Sequence, residues 1–156
     1  MITIRLCLPT EWSTLQKLND EVFQDNHKYD PDLVKDWALS DAGENYFQRI
    51  LRDKNSCCFI ASADKNPVGY IVGSPKKYSY RKSRYFEIDN MGVSPNYRSK
   101  GIGSKLIERL IVWAEENNYD KLIVNAYFSN ASAIEFYKKN GFNEIDISME
   151  RKIKLD

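Results

Sequence analysis

The sequence predicts a mixed α/β fold in which a central sheet is flanked by helices. Three observations carry that prediction: apolar residues that alternate at the start of the chain, two apolar runs joined by a turn signal, and two strand-helix-strand successions in the second half. A hairpin makes antiparallel neighbours, whereas a strand-helix-strand unit needs a crossover and therefore some parallel pairing. With 156 residues, 42% of them apolar and 13% aromatic, the chain suffices for one ordinary core, and residues 1–156 are expected to form a single domain.

The elements follow in order. Ile2, Ile4 and Leu6 alternate with Thr3 and Arg5, the period of a strand with one buried face. After Pro9, the residues Trp12, Leu15, Leu18 and Val22 recur at spacings of three and four, which predicts an amphipathic helix with Thr10 as its N-cap. Residues 25–44 are rich in Asp, Asn and Ser and contain Pro31 and Gly43, so this stretch reads as partly irregular. Tyr46, Phe47, Ile50 and Leu51 share the face of a second helix. Residues 57–61 and 68–73 read as the strands of a hairpin around a turn at 64–67. Beyond a basic connector at 75–83, the pattern predicts a strand at 85–93, a helix at 104–118, a strand at 122–128, a helix at 131–140 and an alternating strand at 144–154.

Composition narrows the function classes. The net charge of +1, from 23 basic and 22 acidic side chains, supplies no global field to gather nucleic acid or an anionic membrane, so anion recognition has to be local. The three cysteines, Cys7, Cys57 and Cys58, do not suggest a disulfide framework. No apolar run approaches the ~20 residues of a membrane span, and the opening residues have no signal-like apolar core. A reduced, cytoplasmic enzyme is the expectation. His27 is the single histidine and no Cys/His cluster has metal-ligand spacing, so no bound metal is expected. The oligomeric state stays open, a homodimer included.

The most informative stretch runs from Val93 to Ser104, between an apolar strand and a long helix. Gly101 and Gly103 allow a ligand to approach the backbone, the helix start offers unpaired N–H groups and a positive dipole end, and Arg98 and Lys100 add charge. Leu106, Ile107, Leu110, Ile111 and Ala114 form the stripe that would hold this cradle against a core. Two common phosphate loops do not fit. Lys105 follows Ser104 where a Walker loop needs Lys before Ser or Thr, and Leu106 stands where a dinucleotide fingerprint needs a third Gly or Ala.

The segment V-x-P-x-Y-R-x-x-G-I-G-S resembles the pyrophosphate-binding motif of the GCN5-related N-acetyltransferase (GNAT) superfamily, whose Arg/Gln-x-x-Gly-x-Gly/Ala consensus is filled by Arg98, Gly101 and Gly103. The resemblance implies a mostly antiparallel sheet with a parallel pair at its middle, and acetyl-coenzyme A as co-substrate. It implies that Met91, Gly92 and Val93 hold the pantetheine arm, and that Arg98, Ser99, Lys100, Gly101, Ile102, Gly103 and Ser104 hold the phosphates. Residues 130–142 resemble the family's second motif, a helix ending in Gly-Phe. Local physics reads Asn130 as an N-cap, Gly141 as a left-handed residue past the helix, and Phe142 as folding back toward Tyr137. The resemblance adds that Asn130 contacts the coenzyme and that Tyr137 protonates the departing thiolate. Together the two motifs cover roughly residues 85–142.

Acetyl transfer from a thioester to an amine needs a neutral amine, a stabilised oxyanion and an acid for the sulfur. Glu87 and Asp89 lie two apart, hence on one face of a strand, and either is a candidate base. Ion pairing with basic neighbours is the competing reading for both. Asp89 and Asn90 are candidates for a bulge, which the resembled family uses to splay its strand. Backbone N–H groups near Met91 and Gly92 would polarise the carbonyl. Direct attack is preferred to an acetyl-cysteine relay, because Cys57 and Cys58 lie on another strand with no histidine near them in sequence. Asp25, Asp30, Asp32, Asp36, Asp41 and Glu44 make the region between the early helices acidic, which would suit a cationic amine, although acidic loops are commonly just solvated. The basic connector, with Lys76, Lys77, Arg81, Lys82, Arg84, Tyr78 and Tyr80, reads first as a mobile solvated loop. A non-catalytic acyl-coenzyme A sensor and an RNA-binding domain are the competing functions. The acceptor amine is not legible: small molecules, a protein N-terminus and a lysine all remain.

Overall fold

The alternation at the start of the chain forms β1 (Ile2–Leu6), antiparallel to β2 (Cys57–Ala63) with Ile4 opposite Ala61. In the computed structural model, which describes residues 1–154, a 3-10 turn at Pro9–Glu11 leads into α1 (Trp12–Phe23). Thr10 lies inside that turn and does not cap α1. The Glu11 carboxylate instead accepts from the Leu8 amide at 2.7 Å and takes both Arg5 nitrogens at 2.7 and 2.9 Å. The hydrogen bond from Arg5, reinforced by that amide, holds the Glu11 carboxyl down at about 2. Two further 3-10 turns, at Gln24–Lys28 and Trp37–Leu39, fall in the stretch expected to be irregular. Ser40 then caps α2 (Asp41–Arg52), accepting from the Gly43 amide at 3.3 Å.

β2 and β3 (Asn66–Lys76) form the expected hairpin. Its turn is tighter than the expected four residues, because Asp64 and Lys65 both take left-handed φ, 46° and 74°. Such a pair matches the twist of the strands it joins. β4 (Tyr85–Val93) runs antiparallel to β3, and α3 (Ile102–Glu116) crosses over to β5 (Lys121–Val124), parallel to β4. The sheet order is β1-β2-β3-β4-β5, a mixed and mostly antiparallel sheet as predicted. Its parallel pair ends the sheet and does not lie at the middle, because the alternating segment at 144–154 forms no strand. An apolar alternation becomes a strand only through a hydrogen-bonded neighbour, and Ile145, Ile147, Met149 and Ile153 are 59–99% exposed.

Met1–Asn125 is one compact unit, with helices on both faces of the sheet. Leu15 and Leu18 of α1 and Phe47 and Ile50 of α2 bury Cys58, Ile60, Tyr70 and Val72 on one face. On the other, Leu106 and Leu110 of α3 lie over Gly69 and Gly73, and Phe86 packs with Trp113 and Tyr119. The second unit begins at Ala126 and contains α4 (Ala131–Lys139). Gly141 takes φ +89° past its end, and the Phe142 amide donates to the Tyr137 carbonyl at 3.1 Å. The rings of Tyr137 and Phe142 meet at 5.6 Å, the helix end that the sequence predicts.

Candidate active site

The register of β3 and β4 slips once. Val72 faces Asn90 and Gly73 faces Ile88, so Asp89 is the residue left over, and β4 bulges there as expected. Simple alternation would send Asp89 and Asn90 to opposite faces of the sheet. The bulge turns both toward α1 and α2. Tyr46 of α2 donates to Asp89 Oδ2 at 2.9 Å, and Ser74 of β3 donates to Oδ1 at 2.5 Å. Asn90 Nδ2 donates to the Tyr46 hydroxyl at 2.9 Å. Asn19 of α1, fully buried, donates to Asn90 Oδ1 at 3.3 Å and to the Tyr70 hydroxyl at 2.7 Å, while its own Oδ1 is buried without a partner. Burial, followed by the adjacent Asp89 charge, pushes the Tyr46 phenol far above its ordinary range, so it remains a donor.

The same bulge ends the parallel ladder. β4 pairs with β5 from Tyr85/Lys121 to Ile88/Val124, and that ladder stops one residue before Asp89. Along Met91, Gly92 and Val93 the β4 edge on the β5 side is therefore outside the ladder, which is where the pantetheine-binding residues were expected. Gly92 is required by close approach: a Cβ there would stand 2.3 Å from Val22 Cγ2 of α1.

Beyond β4 the cradle is built from unusual backbone. After a 3-10 turn at Pro95–Tyr97, Ser99 and Gly101 take φ +60° and +77°. Gly101 is the N-cap of α3 and, having no side chain, cannot cap it. The Lys105 amide makes the first helical bond, to the Gly101 carbonyl at 3.1 Å, so the amides of Ile102, Gly103 and Ser104 precede the helical ladder. No atom lies within 4 Å of the position a Gly101 Cβ would take. Ile102, Leu106 and Leu110 are buried and fix the helix start. Arg98 is anchored by Nε to the Val93 carbonyl at 2.9 Å, and its outer nitrogen stands 3.4 Å from Asp25. Lys100 turns to the Asn96 carbonyl, 3.1 Å away, and over the Tyr97 ring.

The remaining candidates fall as follows. Glu87 stands opposite Ser74 and pairs with Lys76 at 3.8 Å. In the second unit, Tyr137 is half-buried, and loss of hydration pushes its phenol up to about 12. Asn130 Oδ1 accepts from the Ala133 amide and the Ser132 hydroxyl, each at 3.1 Å, so it is a helix cap as the local reading expected. Burial raises the Cys57 thiol to about 12, and the hydrogen bond to Cys7 together with burial also raises Cys58 well above its ordinary value. Both are held as thiols, unsuited to a relay. In the connector, Arg81 lies 4.6 and 5.2 Å from the Tyr78 and Tyr85 rings, and those rings meet at 5.0 Å.

Sequence reasoning missed Tyr46 and Ser74 as site residues. One signal was present, in that Asn19 lies four residues after Leu15, on the apolar stripe of α1, where an unpaired amide would be costly. Among the described residues no helix is long and apolar enough to cross a membrane.

A β4 bulge, the end of the parallel ladder beside it and an uncapped helix start make up the candidate site. The sequence matches the Acetyltransferase (GNAT) family over residues 12–142, and the chain belongs to that family. It is 29% identical over 103 residues to the uncharacterized N-acetyltransferase MJ1207 of Methanocaldococcus jannaschii, a match covering 65% of this chain and 46% of that protein. The matches to the first such relatives span about half of their length. In fold it is similar to the aminoglycoside 6'-N-acetyltransferase AAC(6')-Ih from Acinetobacter baumannii, with TM-score 0.78 and 16% identity over 100% of both chains. It is also similar to AAC(6')-Iy in complex with the bisubstrate analog CoA-S-monomethyl-acetylneamine, with TM-score 0.76 and 18% identity over 99% of both chains.

Proposed function

We propose that this chain is an N-acetyltransferase that passes the acetyl group of acetyl-coenzyme A to a primary amine by direct attack, residues 1–156 acting as one catalytic domain. The observation that carries the reading is the end of the β4–β5 ladder at Ile88, beside the Asp89 bulge and ahead of the uncapped α3 start and the anchored Arg98. Peptide groups outside a ladder suit the amides of a pantetheine arm. Helix-start amides of Ile102, Gly103 and Ser104, with the Arg98 guanidinium, suit a pyrophosphate, and the left-handed Ser99 and Gly101 shape the loop that carries it. Lys100 adds charge at the rim, and Asn130 is assigned to the coenzyme by its family motif.

The chemistry balances with groups of this chain. A carboxylate of the Glu87 and Asp89 pair accepts a proton from the acceptor ammonium, directly or through water. The freed amine nitrogen attacks the thioester carbonyl and forms the C–N bond, while amides near Met91 and Gly92 stabilise the oxyanion. The C–S bond breaks, and Tyr137, a protonated phenol at working pH, gives its proton to the thiolate. The second proton of the attacking nitrogen, lost as the amide forms, restores the phenol through water. The acceptor is a small-molecule amine or a protein amine, and the acidic character of the site favours a cation.

The test pairs calorimetry with turnover. Acetyl-coenzyme A should bind the purified chain, and thiol should be released with at least one of a polyamine, an aminoglycoside, a lysine derivative and a peptide with a free N-terminus. Mass spectrometry should then find the amine one acetyl group heavier. Binding without turnover on a wide amine panel would favour a sensor, and no binding at all would remove the coenzyme reading.

A further inference from the structure

The two carboxylates of β4 differ in what holds them. Glu87 is paired with a cation, Lys76, at 3.8 Å. Asp89 is held by two neutral hydroxyl donors from different elements, Tyr46 at 2.9 Å and Ser74 at 2.5 Å, one on each oxygen. A carboxylate offers about four lone-pair sites, so two remain for a proton or an ammonium. Tyr46 is itself fixed from behind. Asn90 donates to its hydroxyl, Asn19 donates to Asn90, and Trp37 and Phe47 pack on its ring at 5.6 and 4.9 Å. The carboxylate is thus the last member of a chain of hydrogen bonds that begins in the buried core at Tyr70 and Asn19.

Resting on the acetyltransferase reading, we infer that Asp89, not Glu87, takes the proton of the acceptor amine, and that Tyr46 and Ser74 are its positioning residues. The two hydroxyls occupy one lone pair on each oxygen and fix the rotamer, which holds the remaining lone pair of each oxygen in a set orientation. The bulge completes the arrangement, because it brings Asn90, which alternation would send to the opposite face, to the side where Tyr46 stands. Neither positioning residue touches the coenzyme cradle, so their loss should leave that half of the reaction alone.

The experiment is a mutant cycle on the full chain, with the best acceptor from the panel of polyamine, aminoglycoside, lysine derivative and peptide. Tyr46→Phe and Ser74→Ala should each lower kcat about 10-fold or more, while acetyl-coenzyme A binds within about 2-fold of wild type by calorimetry. In an Asp89→Asn background the same changes should cost nothing further, because they act through that carboxylate. Asp89→Asn should cost more of the rate than Glu87→Gln does. Additive losses in the cycle, an unchanged rate in Tyr46→Phe and Ser74→Ala, or a larger loss from Glu87→Gln than from Asp89→Asn would overturn the assignment while leaving the acetyltransferase reading intact. A wild-type chain that binds acetyl-coenzyme A but acetylates no amine would overturn both. Ser74→Ala serves as the second probe should Tyr46→Phe melt early.

Discussion

Gly92 of β4 and Val22 of α1 approach so closely that a methyl group on Gly92 would sit 2.3 Å from Val22 Cγ2 and 2.7 Å from Cγ1. The contact sets the distance between α1 and the strand edge assigned to the coenzyme. Gly92→Ala should therefore destabilise the fold by about 1–3 kcal/mol through overpacking, read as a lowered urea midpoint. Val22→Ala should couple to it, the double variant losing less than the sum of the two singles. Additive losses would mean that the strand shifts and leaves the helix in place.

Gly101 poses the opposite case, a glycine required by its backbone and not by crowding. With φ +77° and open space around the missing Cβ, Gly101→Ala should cost about 1–2 kcal/mol of strain, and Gly101→Asn less, since Asn tolerates left-handed backbone. Arg98→Ala should weaken acetyl-coenzyme A about 10-fold or more, through lost charge-assisted bonds and a freed Val93 carbonyl. Denaturant midpoints check the two Gly101 variants, and calorimetric titration with acetyl-coenzyme A checks Arg98→Ala.

Tyr137→Phe should reduce kcat about 100-fold with the coenzyme affinity kept, as expected when a general acid is removed. The raised phenol also bears on stability. A group whose folded pKa lies above its unfolded value stabilises the fold fully below the unfolded value and loses that contribution as pH rises through the folded one. Tyr137 goes from 10.0 to about 12 and Cys57 from 9.0 to about 12, so the denaturation midpoint should fall between about pH 9 and 12. Tyr137→Phe and Cys57→Ala should each flatten that fall.

On the acid side the sign reverses. Glu11, lowered from 4.5 to about 2 chiefly by Arg5, stabilises the fold above pH 4.5 and loses that contribution as pH falls toward 2. Glu11→Gln should remove part of the acid sensitivity in that window and cost about 1 kcal/mol at neutral pH, a figure discounted because Arg5 is half exposed.

The proposed coenzyme half of the site could be read as a candidate because it is local. Arg98, Gly101 and Gly103 lie within six residues, and their chemistry depends on a turn and a helix start that adjacent residues dictate. The carboxylate half was legible only as a pair of candidates. What separates Glu87 from Asp89 is a one-residue register slip and two donors, one of them 43 residues distant, which no periodicity encodes. The segment at 144–154 shows the same limit from the other side: its alternation is correct for a strand, yet pairing is a property of two segments and cannot be read from one. Thr10 failed as a cap because Pro9 starts a 3-10 turn one residue earlier, and Glu11, which then stands at the α1 N-cap, turns its carboxylate back to the Leu8 amide.

The tilted contact of the Trp37 and Tyr46 rings has a practical consequence. Trp37 and Trp12 border the α1–α2 core, whereas Trp113 lies with Phe86 and Tyr119 on the opposite face of the sheet. In a Trp12→Phe, Trp113→Phe background, intrinsic fluorescence would come from one indole 5.6 Å from the phenol that holds Asp89. Acceptor arrival could then be followed optically, without a label, before any bond is made.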